Sequence, residues 1–255
     1  MTDTHCHLDF CDDPAAAADP DLAAIITVGT TVARSERSVG FAERLTNVWA
    51  AAGIHPNDAG DAAERTARER LEALAAHPRV VAVGETGFDF YWDRVSEEVQ
   101  EASFRWQVAL AARLDKPVIL HVRDKAGEER AALASARLLA ELGWPKGILH
   151  CFSGHPALLE TGLVLGWLVS FAGNLTYKKA TAIQEAARTL DKDRLLLETD
   201  SPFLPPQPKR GQPNRPAYVR YTAEFLAGLR GETPAEVEAY TDANARRVYG
   251  LPQPG

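Results

Sequence analysis

Short apolar runs rich in valine, isoleucine and leucine alternate with segments of helical period along this chain, and that rhythm constrains the fold more than any single motif. The runs fall at residues 2–7 (TDTHCH), 23–29 (AAIITVG), 48–54 (VWAAAGI), 80–85 (VVAVGE), 117–122 (PVILHV), 147–152 (GILHCF), 167–173 (WLVSFAG) and 194–200 (RLLLETD). Helical periodicity marks residues 34–45, 62–76, 96–114, 128–142 and 179–189 between them, and 217–229 and 234–249 after the last. Runs that stay apolar on both alternating faces are strands buried on both sides, and helical crossovers between them make the sheet parallel. Eight such units in 255 residues predict an α/β chain folded as a (β/α)8 barrel of the TIM type, a single domain over 1–255. The competing arrangement is a doubly wound open sheet. Residues 201–216 (SPFLPPQPKRGQPNRP) are rich in proline and are expected to form a loop over the barrel mouth.

The polar residues at the ends of the runs decide between the two. His7, Glu85, His121, His150 and Asp200 all fall late in their strands, and His5 precedes His7 by two, which puts both imidazoles on one face of a strand. A closed barrel gathers all carboxyl strand ends around one mouth, whereas an open sheet spreads its first and last strands apart. Each residue alone has an ordinary structural reading: a hydrogen-bonded histidine, or a carboxylate paired with arginine. Together they supply four imidazoles and two carboxylates, more than one hydrolytic metal requires. A carboxylate shared by two cations ~3.5 to 4 Å apart suits a binuclear centre, and Glu85 is the expected bridge.

Bulk properties narrow the setting. A net charge of -7 argues against a broad basic surface that coats nucleic acid, without excluding local capture of a phosphodiester at a metal site. No apolar stretch approaches the ~18 residues of a membrane span. The start MTDTHCHLDF lacks the basic and apolar regions of a secretory signal, so a cytoplasmic location is expected, with no obligate protein partner implied. Cys6, Cys11 and Cys151 read as reduced thiols, and alternation along a strand turns Cys6 and Cys151 away from the neighbouring histidines.

Several stretches resemble one family: THCHLD at 4–9, GIHP at 53–56, VGETGFDFYW at 83–92, PVILHVRD at 117–124, HCFSGHP at 150–156 and LLLETDSPFLPP at 195–206. With RGQPNRPAYV at 210–219 and TDANARRVYGL at 241–251, the chain is similar almost end to end to the TatD family of metal-dependent hydrolases and deoxyribonucleases, within the amidohydrolase superfamily. The resemblance implies a barrel with a divalent-metal centre that hydrolyses phosphodiesters, commonly as a DNase. It further implies that His5, His7, Glu85 and Asp200 surround one metal, and that Glu85, His121 and His150 surround a second, with the glutamate where many amidohydrolases use a carboxylated lysine. Similar proteins usually carry alanine after HVRD, where this chain has Lys125, so strand preference and direction of cleavage do not carry over.

The expected activity is therefore cleavage of nucleic-acid phosphodiesters, as an exonuclease on DNA or RNA, by a metal-activated water, with Asp200 and Glu85 catalytic and Asp200 the proton acceptor. Two divalent cations are expected: histidine-rich ligation suits zinc or manganese, and the resemblance implies that magnesium also serves. His55, Arg123 and His155 are candidate substrate contacts; the structural alternatives are a loop-stabilising His55 and an Arg123 paired with Asp89 or Asp124, and His155 lies farther along its loop. Glu198 and Asp3 lie two residues before ligands and are candidates to orient them. Lys209, Arg210 and Arg215 form the best local basic patch, which a solvated loop would equally show, and Phe90, Tyr91 and Trp92 are candidate stacking residues, although such aromatics more often pack as core or anchor their own loop. The competing functions are hydrolysis of an amide, ester or lactone on the same barrel, and a noncatalytic metal-stabilised binding protein.

Overall fold

A computed structural model describes residues 1–92 and 94–252. Eight strands, β1 (Thr2–Cys6), β2 (Ala24–Val28), β3 (Val48–Ala52), β4 (Val80–Asp89), β5 (Val118–Arg123), β6 (Gly147–Leu149), β7 (Leu168–Phe171) and β8 (Leu195–Leu197), follow one another in sequence order around a parallel sheet. The seam between last and first strands is drawn together by a parallel bridge from Cys6 to Ser201 and by the bonds Asp200 N–H to His5 O and His7 N–H to Ser201 O. The (β/α)8 expectation holds, and the open sheet does not.

Between and after the strands lie α1 (Pro14–Ala17), α2 (Val32–Arg44), α3 (Arg65–Ala75), α4 (Glu97–Leu114), α5 (Arg130–Leu142), α6 (Pro156–Leu165), α7 (Thr181–Thr189), α8 (Val219–Arg230) and α9 (Pro234–Tyr249). Helix α6 fell in a segment with no periodic signal. Its sequence PALLETGLVL is apolar nearly all round, and Gly162 lets it settle against Leu149 of β6.

Strand alternation sorts the core into two shells. Ile26, Ile119, Ile148, Leu168 and Leu196 form the inner cluster with Tyr249 of α9, while their chain neighbours Ile25, Val118, Leu120, Leu149, Leu195 and Leu197 pack outward under the helices. His121 and His150 each lie two residues beyond an inner-shell isoleucine, so both face inward at the mouth. Cys6, fully buried, belongs to the outer shell, as its alternation with His5 requires. Helix α9 holds the other end of the barrel. The Tyr249 hydroxyl donates to Thr4 O at 3.0 Å, and the Met1 ammonium pairs with Glu238 and Asp242 at 2.5 and 3.2 Å.

Strands β6 and β8 end sooner than their apolar runs, after Leu149 and Leu197. Beyond Leu197 the backbone changes partners, because Glu198 N–H bonds Phe171 O of β7 whereas Asp200 N–H bonds His5 O of β1. Asp200 adopts φ 55° in that handover. Strand β4 instead runs four residues past Glu85, and all ten of its residues are buried.

Two glycines bring β4 close enough to β5 to set Glu85 against His121. Gly84 and Gly87 have φ of 146° and 141°, and an added Cβ would lie 2.6 Å from Ile119 O and 2.1 Å from His121 O respectively. Alanine at 87 meets unfavourable backbone dihedrals and an immovable carbonyl together. Gly87→Ala is expected to lower stability by more than about 2 kcal/mol in thermal or denaturant unfolding. Gly60→Ala, where nothing lies within 4 Å of the added atom, leaves the melting temperature close to that of the parent.

Candidate metal centre

The six proposed ligands arrive at the mouth from five strands or their ends and converge on two carboxylates. Glu85 Oε1 lies 3.2 Å from His150 Nε2, 3.3 Å from His121 Nδ1 and 3.8 Å from His5 Nε2, while its Oε2 lies 3.6 Å from His7 Nε2. Asp200 Oδ1 stands 3.4 Å from His7 Nε2, 3.9 Å from His5 Nε2 and 4.0 Å from His150 Nε2. The His5 and His150 rings are stacked at 3.6 Å, and the His5 and His7 Nε2 atoms approach to 3.3 Å. Groups that could hold a cation include His5, His7 and Asp200 in one set and His55, Glu85 and His121 in another.

The outer side of each ring explains why the inner nitrogen is free to act as a ligand. His7 Nδ1 donates to Val28 O at 2.9 Å, so the neutral ring would carry its lone pair on Nε2, facing Glu85 and Asp200. His121 places Nε2 3.2 Å from Asp89 Oδ2, and His150 places Nδ1 2.8 Å from Glu198 Oε1. A carboxylate behind an imidazole fixes its tautomer and raises its basicity, the arrangement that ligating histidines ordinarily have. The two carboxylates are themselves held, Asp89 by Asn57 Nδ2 and the Tyr91 N–H, and Glu198 by the Cys151 N–H. Two imidazole–carboxylate pairs, each of which in its neutral form would turn a lone pair toward a third buried carboxylate, fit divalent cations well. Two ring nitrogens, His5 Nδ1 and His150 Nδ1, are buried without a hydrogen bond of good geometry, and of these only His150 Nδ1 has a carboxylate, Glu198, beside it.

Glu198 thus takes the orienting role anticipated for it. Asp3 does not reach a ligand ring: its carboxylate accepts from Thr199 N–H and Oγ1–H and from the His5 N–H, tying β1 to the segment after β8, and burial pushes its pKa well up. Asp89 was not singled out as an orienting group. Its signal was available in ETGFD, four residues after Glu85, but only if the strand persists past the glutamate.

Charge is concentrated here with little solvent to screen it, since only His121 and Asp200 of the six side chains reach 15% exposure. Burial opposes ionisation of Glu85, but the surrounding His5, His121, His150 and His7 hold it well below the usual carboxylate range. Burial likewise opposes the imidazolium of His7 and His150. Asp200 and Glu85 outweigh it at His7 and push it up to about 9, and Glu198, Glu85 and Asp200 push His150 up to about 10. Burial and the neighbouring His150 drive His5 the other way, well below its ordinary value.

His55 joins the cluster. Its Nδ1 accepts the Asn57 N–H at 3.1 Å, so its neutral form carries the proton on Nε2, and its ring meets that of His121 edge-on at 4.3 Å. Burial and His121 lower its pKa to about 3. Arg123 lies at the end of β5 with its guanidinium 4.1 Å from the Tyr91 ring centre and 5.7 Å from that of Trp92. Its two anticipated carboxylate partners serve elsewhere, Asp89 at His121 and Asp124 at the first-turn N–H groups of α5. His155 caps α6, accepting from Leu158 N–H at 3.4 Å, and lies outside the ligand cluster. Phe90 is buried against Phe88, whereas Tyr91 and Trp92 are exposed. A cavity of about 680 Å³ opens at the opposite end of the barrel, among Trp49, Lys116, Lys146 and Tyr249, and none of the candidate ligands lines it.

A family model described as TatD related DNase matches residues 2–250. The chain belongs to the TatD family. It is 40% identical over 265 residues to a Mycobacterium tuberculosis protein named as an uncharacterized metal-dependent hydrolase TatD, with 98% of both chains covered. It is 33% identical to a Klebsiella pneumoniae protein named 3'-5' ssDNA/RNA exonuclease TatD, covering 98% of this chain and 95% of the relative. The crystal structure of the Escherichia coli TatD homologue YJJV superposes with a TM-score of 0.87 at 31% identity, covering 99% of this chain and 98% of that one. This TatD protein is accordingly a metal-dependent hydrolase, and the His, Asp and Glu groups at its barrel mouth fit that dependence.

The charge balance gives a direct test. His7 and His150 are protonated at neutral pH in the metal-free protein, with pKa values of about 9 and about 10. They stabilise that form fully below the ordinary imidazole value of ~6.5, and the contribution is lost as pH rises through the folded values. A divalent cation requires the neutral rings, so uptake should release protons and affinity should climb as pH rises from neutrality. Calorimetric metal titrations in buffers of different ionisation enthalpy are expected to show release of at least about one proton per protein. Heats independent of the buffer contradict the assignment.

Proposed function

We propose that this TatD protein hydrolyses phosphodiester bonds in DNA or RNA, as an exonuclease, at a two-cation centre bridged by Glu85. The observation that carries the reading is the placement of Glu85: four imidazoles approach within 3.2 to 3.8 Å, three at one carboxylate oxygen and His7 at the other. On this reading His5, His7, Glu85 and Asp200 would hold one cation, and Glu85, His121 and His150 would hold the other. Magnesium, manganese or zinc bound there supplies Lewis acidity and lowers the pKa of a coordinated water toward neutrality. Relatives named as 3'-5' ssDNA/RNA exonucleases support a nucleic-acid substrate.

The remaining work falls to the protein's own groups. Asp200 is the proton acceptor, because its side chain is 15% exposed whereas that of Glu85 is 3% exposed, so only Asp200 opens toward an incoming substrate and water. His55 presents its Nε2–H to a phosphate oxygen, and Arg123, at the rim of β5, offers a guanidinium to the next phosphate along the strand. Residues 201–216 form the rim on the other side. Asn214 holds that segment by donating to Thr199 O at 2.8 Å and Phe203 O at 2.6 Å. No helix among the described residues is long and apolar enough to cross a membrane, which fits the cytoplasmic setting we assign.

Asp200→Asn separates chemistry from folding, since asparagine tolerates the φ of 55° at this position. On 3′- and 5′-labelled oligonucleotides, the parent with added divalent metal is expected to shorten the chain stepwise from one end, and the variant to turn over roughly 100-fold or more slowly with an unchanged melting temperature. Unaltered metal-dependent cleavage by the variant would remove Asp200 from the mechanism. Turnover of carboxyl esters or lactones without any cleavage of oligonucleotides would replace the nuclease reading.

A further inference from the structure

The large exposed aromatic side chains are not scattered. Among the described residues, seven large apolar side chains are strongly exposed; the aliphatic ones, Val99, Leu133 and Val164, sit on helices, whereas the four aromatic ones, Phe10, Tyr91, Trp92 and Phe203, all follow C-terminal strand ends. They form two pairs. Phe10 follows β1 and Phe203 follows β8; their rings meet at 5.7 Å and stand 5.6 and 6.1 Å from the ring of His7. Tyr91 and Trp92 follow β4, meet at 4.9 Å, and are tied to the site through the Tyr91 N–H to Asp89, the carboxylate behind His121.

In a closed ring of eight strands the β8–β1 seam lies across the barrel from β4 and β5. The two pairs therefore stand at opposite edges of the ligand cluster, one against His7 and the other beyond His121. Each carries cations. The Arg34 guanidinium, itself paired with the buried Asp9, lies 3.8 Å from the Phe10 ring centre, and Arg123 and Arg94 lie 4.1 and 5.4 Å from those of Tyr91 and Trp92. Phe10 also borders a cavity of about 430 Å³, walled by Cys11, Asp12, Asp13, Pro202, Pro213 and Arg215.

Exposed rings beside arginines, on both sides of a hydrolytic centre, match the chemistry of single-stranded nucleic acid: a π-face for each base and a guanidinium for the adjoining phosphate. A carboxyl ester or lactone has no use for two separated platforms, and duplex bases are already stacked on one another. We propose that Phe10 with Phe203, and Tyr91 with Trp92, are base-stacking platforms that hold a single strand across the metal centre, one base on each side of the bond to be cut. The proposal rests on the nuclease reading of the centre, for which relatives named as ssDNA/RNA exonucleases already point to unpaired strands, and adds the side chains that hold the bases. Stacking on rings is blind to base identity, so the specificity set here is for strandedness rather than sequence.

The test compares the metal-loaded parent with two double variants, Phe10→Leu/Phe203→Leu and Tyr91→Leu/Trp92→Leu, which keep apolar bulk but remove the rings. Binding of three phosphorothioate ligands, which resist cleavage, is measured by fluorescence anisotropy: a single-stranded pentathymidylate, the same backbone without bases, and a duplex. The parent is expected to bind the base-bearing single strand at least about tenfold more tightly than the other two, and each variant to lose most of that preference with little change toward the base-free backbone. A preference that survives in both variants, or equal weakening toward all three ligands, overturns the platforms. Should the variants alter self-association in gel filtration and leave the preference intact, the aromatic edges belong to a second copy of the chain and the proposal fails. A parent that binds none of the three ligands yet hydrolyses an ester or lactone refutes the nuclease reading itself.

Discussion

A carboxylate buried among imidazoles is the interaction on which this molecule turns. Glu85 lies in the middle of a strand whose ten residues are all buried, where an anion without counter-charge is costly. The cost is met by rings drawn from β1, β5 and the end of β6, and those rings are in turn set by groups further out. Removing one inner partner would strand several others. The requirement reaches into the backbone, because Gly84 and Gly87 on either side of Glu85 let β4 approach β5 where any side chain would collide with carbonyl oxygens.

The carboxylates behind the histidines make the centre directional. His121 with Asp89, and His150 with Glu198, each present a defined nitrogen inward, and His7 does the same through the Val28 carbonyl. Excess negative charge then favours cations of any kind, which is why His7 and His150 retain protons when nothing else compensates Glu85, Asp200 and Glu198. Protons and divalent metals compete for one set of lone pairs. A chain of net charge -7 can in this way gather cations at one site without a broadly basic surface.

Much of this was legible from residue order alone, for identifiable reasons. The eight apolar runs specify the barrel because strand period and helical crossover allow little else, and His121 and His150 follow by alternation from inward-facing isoleucines. Asp200 was found by its place after LLLET, although it lies beyond β8 in a left-handed conformation that the handover from β7 to β1 imposes. Asp89 escaped because β4 continues past its apolar run. Helix α6 escaped because an element apolar on every side has no period to detect. Phe10 and Phe203 are separated by 193 positions and become neighbours only when the β8–β1 seam closes, so the sequence shows two ordinary aromatics and the fold shows a pair.

Whether Glu85 is shared between two cations decides the chemistry of this centre. Anomalous diffraction from crystals of the metal-loaded protein, recorded on both sides of the absorption edge of manganese or zinc, measures this directly. The expected map has two peaks flanking the Glu85 carboxylate, one within ligand distance of His5, His7 and Asp200 and the other of His121 and His150. A single peak out of reach of Glu85, or two peaks that leave its oxygens uncoordinated, would contradict it.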